Sequence, residues 1–339
     1  MKKRFLCILL AAMLLAGCTL PGQTPSQRYS ATFLEAFDTV TTVVGFAESE
    51  EAFTQQAQQI YEQLMHYHRL FDIYNDYEGI ANLKTVNDNA GGEAVQVAPE
   101  IIQLLKDCKE YYLLTGGKVN AAMGSVLQLW HKARSDAYAN PLNAYLPDQA
   151  QLEEAAKHTD FDAVILDEEN ATVRITDPQL RLDVGAIAKG WATQKVAETA
   201  AEGMLISVGG NVCATGPKPE NSPWVVGIEN PEGGDYLHTV YVSQGCVVTS
   251  GDYQRTFPVD GTFYHHIIDP QTLYPSEYYR SVTIICADSA LADALSTALF
   301  VMPLEVGMAL AEKCGVEAMW LHRSGDRSYT PDFEKLIRT

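Results

Sequence analysis

The chain has 339 residues, which is enough for one large domain or two modest ones with a buried core. Apolar residues make up 47% and charged residues 20%, a balance that excludes a disordered or fibrous chain. Lys and Arg number 24 against 43 Asp and Glu, so the formal net charge is −19, which argues against nucleic-acid binding. Any phosphate that this protein binds is therefore met locally, by a cation or by backbone N–H groups.

The first 18 residues have the pattern of a bacterial export signal. Positions 2–4 are basic, and Phe5–Leu15 is an apolar run of signal-peptide length, too short to span a bilayer comfortably. The run ends in Leu15–Cys18, which resembles the lipobox in which the cysteine is diacylated and becomes the first residue of the mature chain. The alternative is an ordinary secretory signal with an incidental cysteine.

These observations predict three regions along the chain. We expect a signal peptide at 1–17, a lipidated Cys18 with a flexible Pro- and Gly-containing tether at 18–29, and a folded domain at 30–339. The lipid on Cys18 would anchor the domain at the extracytoplasmic face of the bacterial cell membrane.

The cysteines do not indicate a disulfide scaffold. Of the seven, Cys7 leaves with the signal and Cys18 takes the lipid, so five remain. The number is odd, and no two cysteines are spaced as CxxC. Buried free thiols are therefore favoured over a disulfide or a metal site. The five are Cys108, Cys213, Cys246, Cys286 and Cys314.

Hydrophobic periodicity divides the rest of the chain into strands and helices. In chain order, the predicted elements are a strand at Ser30–Phe46, helices at Glu50–Tyr67 and Pro99–Leu114, a hairpin at Val164–Ile175, a helix at Gly190–Ala201, strands at Met204–Val208, Val225–Ile228, Thr239–Val242 and Ser281–Cys286, and a helix at Ser289–Met302. Ser135–Leu146 has no clear period and is the best candidate for a loop or a domain seam. Because the elements lack βαβ regularity, they predict an α+β fold with mixed or antiparallel sheets and packed helices.

The predicted helix at Ser289–Met302 is apolar on nearly every side and should be buried. Asp293 is its only ionisable residue, and an unpaired carboxylate in such a place is costly or becomes protonated. The polar positions of the helix are Ser289, Asp293, Ser296 and Thr297. Spacings of three and four residues place them on one stripe, where a carboxylate and a hydroxyl are ligands of the kind that Mg²⁺ uses. The alternative is a buried Asp that is satisfied by backbone N–H groups or by a nearby Arg or Lys.

Two glycine-containing segments are candidates for ligand binding. In Leu182–Ala192, Gly185 and a helix follow strand-like residues, so backbone N–H groups and Lys189 could meet an anionic group. In Ser207–Asn211, paired glycines allow the close approach of a flat ligand. The alternatives are a simple strand-to-helix turn and a β-bulge.

Two adjacent histidines, His265 and His266, precede a turn at Asp269-Pro270 and suggest general-base chemistry or a metal site. Neighbouring residues of a strand point to opposite faces, so at most one of the two should face a site. Solvated surface histidines are the alternative. The sequence contains no GxSxG, which argues against a hydrolase triad of that kind.

Taken together, these segments resemble the ApbE family of Mg²⁺-dependent FAD:protein FMN transferases. The resemblance runs from about Phe37 to Met302 and depends on separated motifs in the family's order. The motifs are Phe37-Asp38-Thr39, Phe71–Tyr74, Asn82, Gly116–Asn120 with Trp130, Leu182–Ala192, Gly209–Asn211, Thr249–Tyr253 with His266–Pro270, and Ala292–Phe300. The chain departs from the family at Asn120, where an Asp is common, and at Leu273–Pro275, where the family has a Gly-x-Pro turn.

The resemblance implies a fold related to the T-fold and a division of roles among the residues. The implied FAD contacts are Phe37, Tyr74, Lys118, Val119, Asn120, Asp183, Lys189 and Ile267. The implied Mg²⁺ ligands are the carbonyl of Ala186 and the side chains of Asp293 and Thr297, with a contribution from Ser296.

The resemblance also implies the reaction. The protein would transfer the FMN part of FAD to a Thr or Ser hydroxyl of an exported acceptor protein, through a phosphoester bond, and release AMP. A neutral His266 would accept the hydroxyl proton, and Asp269 would orient the ring or the turn; a metal-bound hydroxide or an acceptor-side Asp are alternatives. Two other functions stay open, namely Mg²⁺-dependent hydrolysis of FAD to FMN and AMP, and flavin binding by a lipoprotein without catalysis.

Overall fold

The computed structural model describes residues 26–339, which contain fifteen strands and eight α-helices. The strands are β1 (Gln27–Phe33), β2 (Thr41–Ala47), β3 (Val95–Gln96), β4 (Val164–Asp167), β5 (Thr172–Ile175), β6 (Leu205–Val208), β7 (Asn211–Ala214), β8 (Trp224–Ile228), β9 (His238–Val242), β10 (Gly245–Gly251), β11 (Phe257–Val259), β12 (Thr262–Tyr264), β13 (Tyr279–Cys286), β14 (Glu317–His322) and β15 (Arg327–Tyr329). The helices are α1 (Glu50–Phe71), α2 (Leu83–Asp88), α3 (Pro99–Leu114), α4 (Gly124–Ala139), α5 (Gln149–Ala155), α6 (Ala188–Thr199), α7 (Ser289–Phe300) and α8 (Leu304–Cys314). The predicted signal peptide, Cys18 and most of the tether lie outside the described residues.

Eight of the strands form one antiparallel sheet in the order β1-β2-β6-β7-β10-β13-β14-β15. Three smaller sheets have the orders β3-β5-β4, β8-β9 and β11-β12. The predicted α+β class, with antiparallel sheets and packed helices, is therefore confirmed.

The first predicted strand, Ser30–Phe46, is wrong, because the segment forms two strands that pair antiparallel, β1 and β2. Between them a single 3₁₀ turn at Ala36–Asp38 contains Phe37 and Asp38 with φ of 53° and 52°. This left-handed backbone reverses the chain without a glycine. Since β1 begins at Gln27, the last three residues of the predicted tether belong to the sheet.

The large sheet is covered on both faces. On one face α1, α6 and α7 pack against it, and Phe53 of α1 is buried with Val43 and Ile206 of the strands. On the other face the β8–β9 hairpin buries Trp224 against a cluster that includes Met319. The central strands and α7 are therefore enclosed between layers, which gives residues at their ends fixed positions.

Part of the predicted seam at Ser135–Leu146 is helical, because α4 continues to its end at position 139. The helix buries Val126, Trp130, Ala133 and Ala137, at spacings of three and four residues, in a cluster with Phe257 of β11. Three small or medium residues and one aromatic make a weak apolar stripe, so the periodicity of the sequence did not indicate this helix.

Most other predicted elements are confirmed to within a few residues. They are α1, α3, the β4–β5 hairpin, α6, β6, β8, β9, β13 and α7. The elements that the sequence did not indicate include α4, α8, β7, β10 and β14. Within residues 26–339 every helix is too short or too polar to cross a bilayer.

The five cysteines of the described residues are free, as predicted. Cys108, Cys213 and Cys246 are buried, and the other two are half-buried. Burial raises the pKa of the Cys108 thiol, which is consistent with an inert core residue.

Candidate active site

A cavity of about 310 Å³, within the range of small-molecule sites, is lined by residues of α4, α7, β10 and the loops before α6 and after β12. The predicted site residues that line it are Phe37, Tyr74, Lys118, Val119, Asn120, Asp183, Ala186, Lys189, His266, Ile267, Asp293 and Thr297. Two further predicted site residues, Ser296 and Asp269, do not line it. The predicted lipidation site, Cys18, lies outside the described residues.

Asp293 lies where α6 and α7 meet, and its side chain is 5% exposed. Its Oδ2 accepts a 2.7 Å hydrogen bond from the N–H of Gly190, and its Oδ1 lies 3.9 Å from Lys189 Nζ. Glycine is required at position 190, because a Cβ there would lie 2.4 Å from the Cβ of Asp293. Asp293 therefore has both partners named in the alternative to metal binding, a backbone N–H and a lysine, and it also lines the cavity.

Thr297 lines the cavity one turn after Asp293, whereas Ser296 faces elsewhere. Ser296 is fully buried, donates a 2.9 Å hydrogen bond to the carbonyl of Asp293, and lies 2.7 Å from the Oγ of Ser250. Helical residues are 100° apart, so positions three and four residues after Asp293 lie on opposite sides of it. Ser296, which was predicted to contribute to the metal site, therefore does not line the cavity beside Asp293 and Thr297. Ser250, to which the sequence assigned no role, lines the cavity 3.4 Å from Thr297 Oγ1.

The oxygen donors on this side of the cavity fit a hard divalent cation. Asp293 supplies a carboxylate, Thr297 a hydroxyl and Ala186 a backbone carbonyl. Among residues 26–339 there is no group of three or more His, Cys, Asp or Glu side chains placed to hold a metal ion. A cation here would have one carboxylate and neutral oxygens, which suits Mg²⁺ with water and phosphate as further ligands and does not suit Zn²⁺. We call Ala186, Lys189, Asp293 and Thr297 the α7 wall.

Of the two adjacent histidines, His266 lines the cavity and His265 does not. The Nδ1 of His266 lies 3.1 Å from the carbonyl oxygen of Gln254, which can only accept, so Nδ1 carries the proton and Nε2 is free to accept one. Burial, followed by the charge of Arg255, lowers the pKa of His266 to about 3. His265 is buried and donates to the carbonyl of Ser276 at 2.8 Å. Both histidines follow β12 instead of lying in a strand, yet only one faces the site, as predicted.

The carboxylate of Asp269 holds a turn and not the His266 ring. Its Oδ1 accepts hydrogen bonds of 2.9 Å from Lys118 Nζ and 3.0 Å from the N–H of Gln271. The hydrogen bond of the imidazole goes instead to a backbone carbonyl. Of the two roles expected for Asp269, these contacts correspond to orientation of the turn, and they also fix Lys118 at the edge of the cavity.

A chain of polar contacts connects Tyr74, His131 and Asp183. Tyr74 Oη lies 2.7 Å from His131 Nδ1, and His131 Nε2 lies 3.7 Å from Asp183 Oδ2. Burial lowers the pKa of His131 in spite of the nearby Asp183, so the neutral ring accepts from the tyrosine hydroxyl. His131 was not identified from the sequence, because the periodicity did not predict helix α4. The available signal was the spacing of Leu127, His131 and Arg134, which all line the cavity.

Two of the predicted flavin contacts are fixed by local hydrogen bonds. The N–H of Phe37 donates to His68 Nδ1 at 3.2 Å, and the phenyl ring packs edge-on against that imidazole. The amide of Asn120 accepts from the N–H of Ala122 at 2.9 Å and donates to the carbonyl of Thr159 at 2.8 Å. Asn120 therefore stabilises its own loop through both ends of its side chain.

We call Tyr74, His131, Arg134, Arg255 and His266 the α4 wall of the cavity. All five line it, and the charges of the two arginines act on the pKa of each of the other three side chains. This set provides two neutral imidazoles and two cations, whereas the α7 wall provides hard oxygen ligands. The arrangement has the parts needed to hold an anionic ligand and to move a proton beside it.

Comparison with known proteins finds relatives over most of the chain. The model of the ApbE family matches residues 37–320. A curated relative from Treponema pallidum, named FAD:protein FMN transferase, is 35% identical over 260 residues, which cover 70% of this chain and 70% of the relative. A relative of the same name from Klebsiella pneumoniae is 30% identical over 273 residues and covers 76% of this chain and 82% of its own length.

Solved structures have the same fold. The crystal structure of the ApbE protein from Thermotoga maritima is 32% identical with a TM-score of 0.82, and the match covers 92% of this chain and all of that one. The flavin transferase ApbE from Vibrio cholerae is 20% identical with a TM-score of 0.75, over 92% of this chain and all of that one, and supports the fold alone.

Proposed function

Because the chain belongs to the ApbE family and is an enzyme of the FAD:protein FMN transferase type, we propose that it joins FMN to a Thr or Ser hydroxyl of an acceptor protein in an Mg²⁺-dependent reaction that releases AMP. One phosphoester bond forms between the acceptor oxygen and the phosphorus nearest riboflavin. The pyrophosphate bond at that phosphorus breaks, and AMP leaves with the bridging oxygen. The hydroxyl proton passes to a base.

The observation that carries this proposal is that one cavity contains both hard oxygen donors and a neutral imidazole. Asp293 and Thr297 line it from α7, and His266 lines it from the loop after β12. The aromatic rings of Phe37 and Tyr74 line the same cavity and offer surfaces for a flavin. Each group by itself has a structural explanation, but their convergence in one cleft favours a site for a flavin nucleotide.

The α7 wall would hold the metal. Asp293, Thr297 and the carbonyl of Ala186 would be the ligands, and Mg²⁺ when bound would neutralise charge on the pyrophosphate. Lys189 adds a positive charge next to Asp293 and would contact the phosphates at the start of α6. Gly190 fixes the Asp293 carboxylate through its N–H, so the ligand is oriented before any cation arrives.

His266 would take the proton of the attacking hydroxyl. Its protonated Nδ1 is held by a backbone carbonyl, which leaves Nε2 as the acceptor. The lowered pKa keeps the ring neutral at physiological pH, which is the state that a base requires. A bound phosphate would offset the positive field of the arginines and raise the basicity of the ring.

We also propose that Cys18 carries the lipid that holds the domain at the extracytoplasmic face of the cell membrane. The basic positions 2–4, the apolar run and the lipobox-like Leu15–Cys18 support this proposal. The acceptor would then be an exported protein. A Cys18→Ala variant should move from the membrane fraction to the soluble fraction, and a variant that stays in the membrane fraction would contradict the anchor.

The test of the reaction is to incubate the protein with FAD and a candidate acceptor, with Mg²⁺ or with EDTA. We expect an acceptor mass that increases by one FMN less water, together with an equal amount of AMP, only when Mg²⁺ is present. Free FMN and AMP with an unmodified acceptor would indicate the hydrolase. Bound FAD that stays intact under both conditions would indicate a binding protein without catalysis.

A further inference from the structure

Four basic side chains line the cavity of a protein whose net charge is −19, and these are Lys118, Arg134, Lys189 and Arg255. Each lysine has a carboxylate neighbour. Asp269 Oδ1 lies 2.9 Å from Lys118 Nζ, and Asp293 Oδ1 lies 3.9 Å from Lys189 Nζ. Among residues 26–339, no carboxylate oxygen lies within 4.0 Å of the guanidinium of Arg134 or Arg255, and neither guanidinium donates a hydrogen bond to a protein group.

The two arginines are brought together from different elements. Arg134 is half-buried on α4, one turn after His131, and Arg255 is exposed in the loop after β10. Burial and then the charge of Arg255 lower the pKa of Arg134, so the two guanidiniums repel each other. The chain contains 43 acidic residues, yet none of those described forms an ion pair with either arginine, so only solvent reduces their mutual repulsion. An anion from outside the chain would balance this pair.

The backbone of Arg255 is fixed in an unfavourable conformation. Its φ is +48°, in the left-handed region that residues with a Cβ rarely adopt. Hydrogen bonds hold the loop on both sides, because Tyr138 Oη donates to the carbonyl of Thr256 at 2.9 Å and His266 Nδ1 donates to the carbonyl of Gln254 at 3.1 Å. Helix α4 and the cavity-facing imidazole therefore hold Arg255 in a strained backbone conformation that directs its side chain to the cavity.

We propose that Arg134 and Arg255 form an anion subsite that binds a phosphate group of the flavin nucleotide. The inference rests on the proposed function and adds to it the residues that meet the phosphate opposite the metal ligands. A phosphate supplies up to two negative charges and several oxygens, which two planar guanidinium groups can contact in a bidentate manner. The charges of both arginines act on the pKa of His266. A phosphate bound between them would therefore lie beside the imidazole that takes the proton.

The experiment compares flavins that differ only in the phosphate. Binding of riboflavin and of FMN to the full-length protein is measured by flavin fluorescence at low salt, and AMP is then titrated as a competitor of FMN. For the wild type we expect FMN to bind about tenfold or more tightly than riboflavin. In the double variant Arg134→Met with Arg255→Met this preference should fall to about threefold or less, while riboflavin affinity stays within about twofold of the wild type.

The matched control is Lys132→Met, which removes a positive charge from the same helix. Lys132 is exposed and pairs with Asp136 on α4, and it does not line the cavity. This variant should retain the full preference for FMN. A double arginine variant that keeps the FMN preference but binds AMP about tenfold more weakly would also support the subsite, with the adenosine-side phosphate as its ligand.

Two results would overturn the subsite while the transferase function stands. One is an unchanged preference for FMN and unchanged AMP binding in the double variant. The other is an equal loss of riboflavin and FMN, because that would mean that the arginines shape the ring pocket. A wild type that binds none of the three probes would instead refute the proposed function and the ligand of the subsite together.

Discussion

The two walls of the cavity balance their charges in different ways. On the α7 wall the Asp293 carboxylate has an N–H donor at 2.7 Å and the Lys189 ammonium at 3.9 Å, and it is almost completely buried. On the α4 wall Arg134 and Arg255 have no carboxylate partner among the described residues, and the His266 ring is neutral. The Asp293 carboxylate of the α7 wall is therefore satisfied by the protein itself, whereas the two arginines of the α4 wall have no protein counter-ion among residues 26–339.

This difference shows how an acidic protein can bind an anionic substrate. A net charge of −19 repels a dinucleotide at long range, but the repulsion between exposed charges falls off within about 10 Å at ordinary ionic strength. Inside the cavity the local electrostatic potential determines whether an anion binds. The two arginines of the α4 wall make that potential positive without a metal ion. The α7 wall would become positive only after a cation binds. The two walls thus predict separable effects of substitution.

The largest effect on stability should come from Gly190→Ala, at the residue that contacts Asp293 of the α7 wall. The added Cβ would lie 2.4 Å from the carbonyl oxygen of Ser289 and from the Cβ of Asp293, inside the buried contact of α6 and α7. We expect a loss of about 1–3 kcal/mol or more in the free energy of unfolding, measured by urea denaturation. The matched control is Gly307→Ala on α8, where the nearest atom would be 3.4 Å away.

The control should be neutral or slightly stabilising, because alanine is favoured over glycine inside a helix. If Gly190→Ala were as stable as the wild type, the two helices would not be held at the observed distance. The contact between Gly190 and Asp293 would then not fix the position of the Asp293 carboxylate.

A smaller effect should come from the α4 wall, as a pH dependence of stability. Burial lowers the pKa of His131 and His266 on this wall, the latter to about 3, so between pH 6.5 and 5 the unfolded chain binds protons that the folded chain does not. The free energy of unfolding should therefore fall as the pH falls through this range, by up to about 1.4 kcal/mol per pH unit for each group.

His266→Gln should make this slope less steep, as measured by urea denaturation at pH 7, 6 and 5. The control is His66→Gln, an exposed residue of α1 that contacts Glu100, and it should leave the slope near that of the wild type. An unchanged slope in His266→Gln would mean that the imidazole takes up its proton in the folded protein as easily as in the unfolded one. The ring would then not be held neutral by its surroundings.

The two walls also differ in how far the sequence predicted them. A single carboxylate in the apolar run of α7 is an evident anomaly, so Asp293 could be singled out from burial alone. The spacing could not separate Thr297 from Ser296, because both lie within one turn and only the position of the cavity distinguishes them. The family resemblance implied both Thr297 and Ser296 as metal ligands, so it did not distinguish them either.

The α4 wall left a much weaker signal. His131 and Arg134 look like polar surface residues of a helix whose buried apolar stripe consists of one valine, one tryptophan and two alanines. Arg255 is directed to the cavity by a loop whose shape depends on hydrogen bonds from distant residues. The chain reversal between β1 and β2 was not predicted for a similar reason. Phe37 adopts a positive φ there, and the turn contains no glycine that would have indicated it. Contacts between distant segments decide these features, and local pattern does not encode them.

The most direct test of the central claim is the rate of FMN transfer by Asp293→Ala at saturating Mg²⁺, read from the mass of the acceptor protein. Asp332→Ala is the matched control, since Asp332 is an exposed carboxylate that pairs with Lys335. If Asp293 holds the metal, its loss should lower the rate by about 100-fold or more, and the control should keep the wild-type rate. Transfer by Asp293→Ala at the wild-type rate would contradict the assignment of the α7 wall as the metal site.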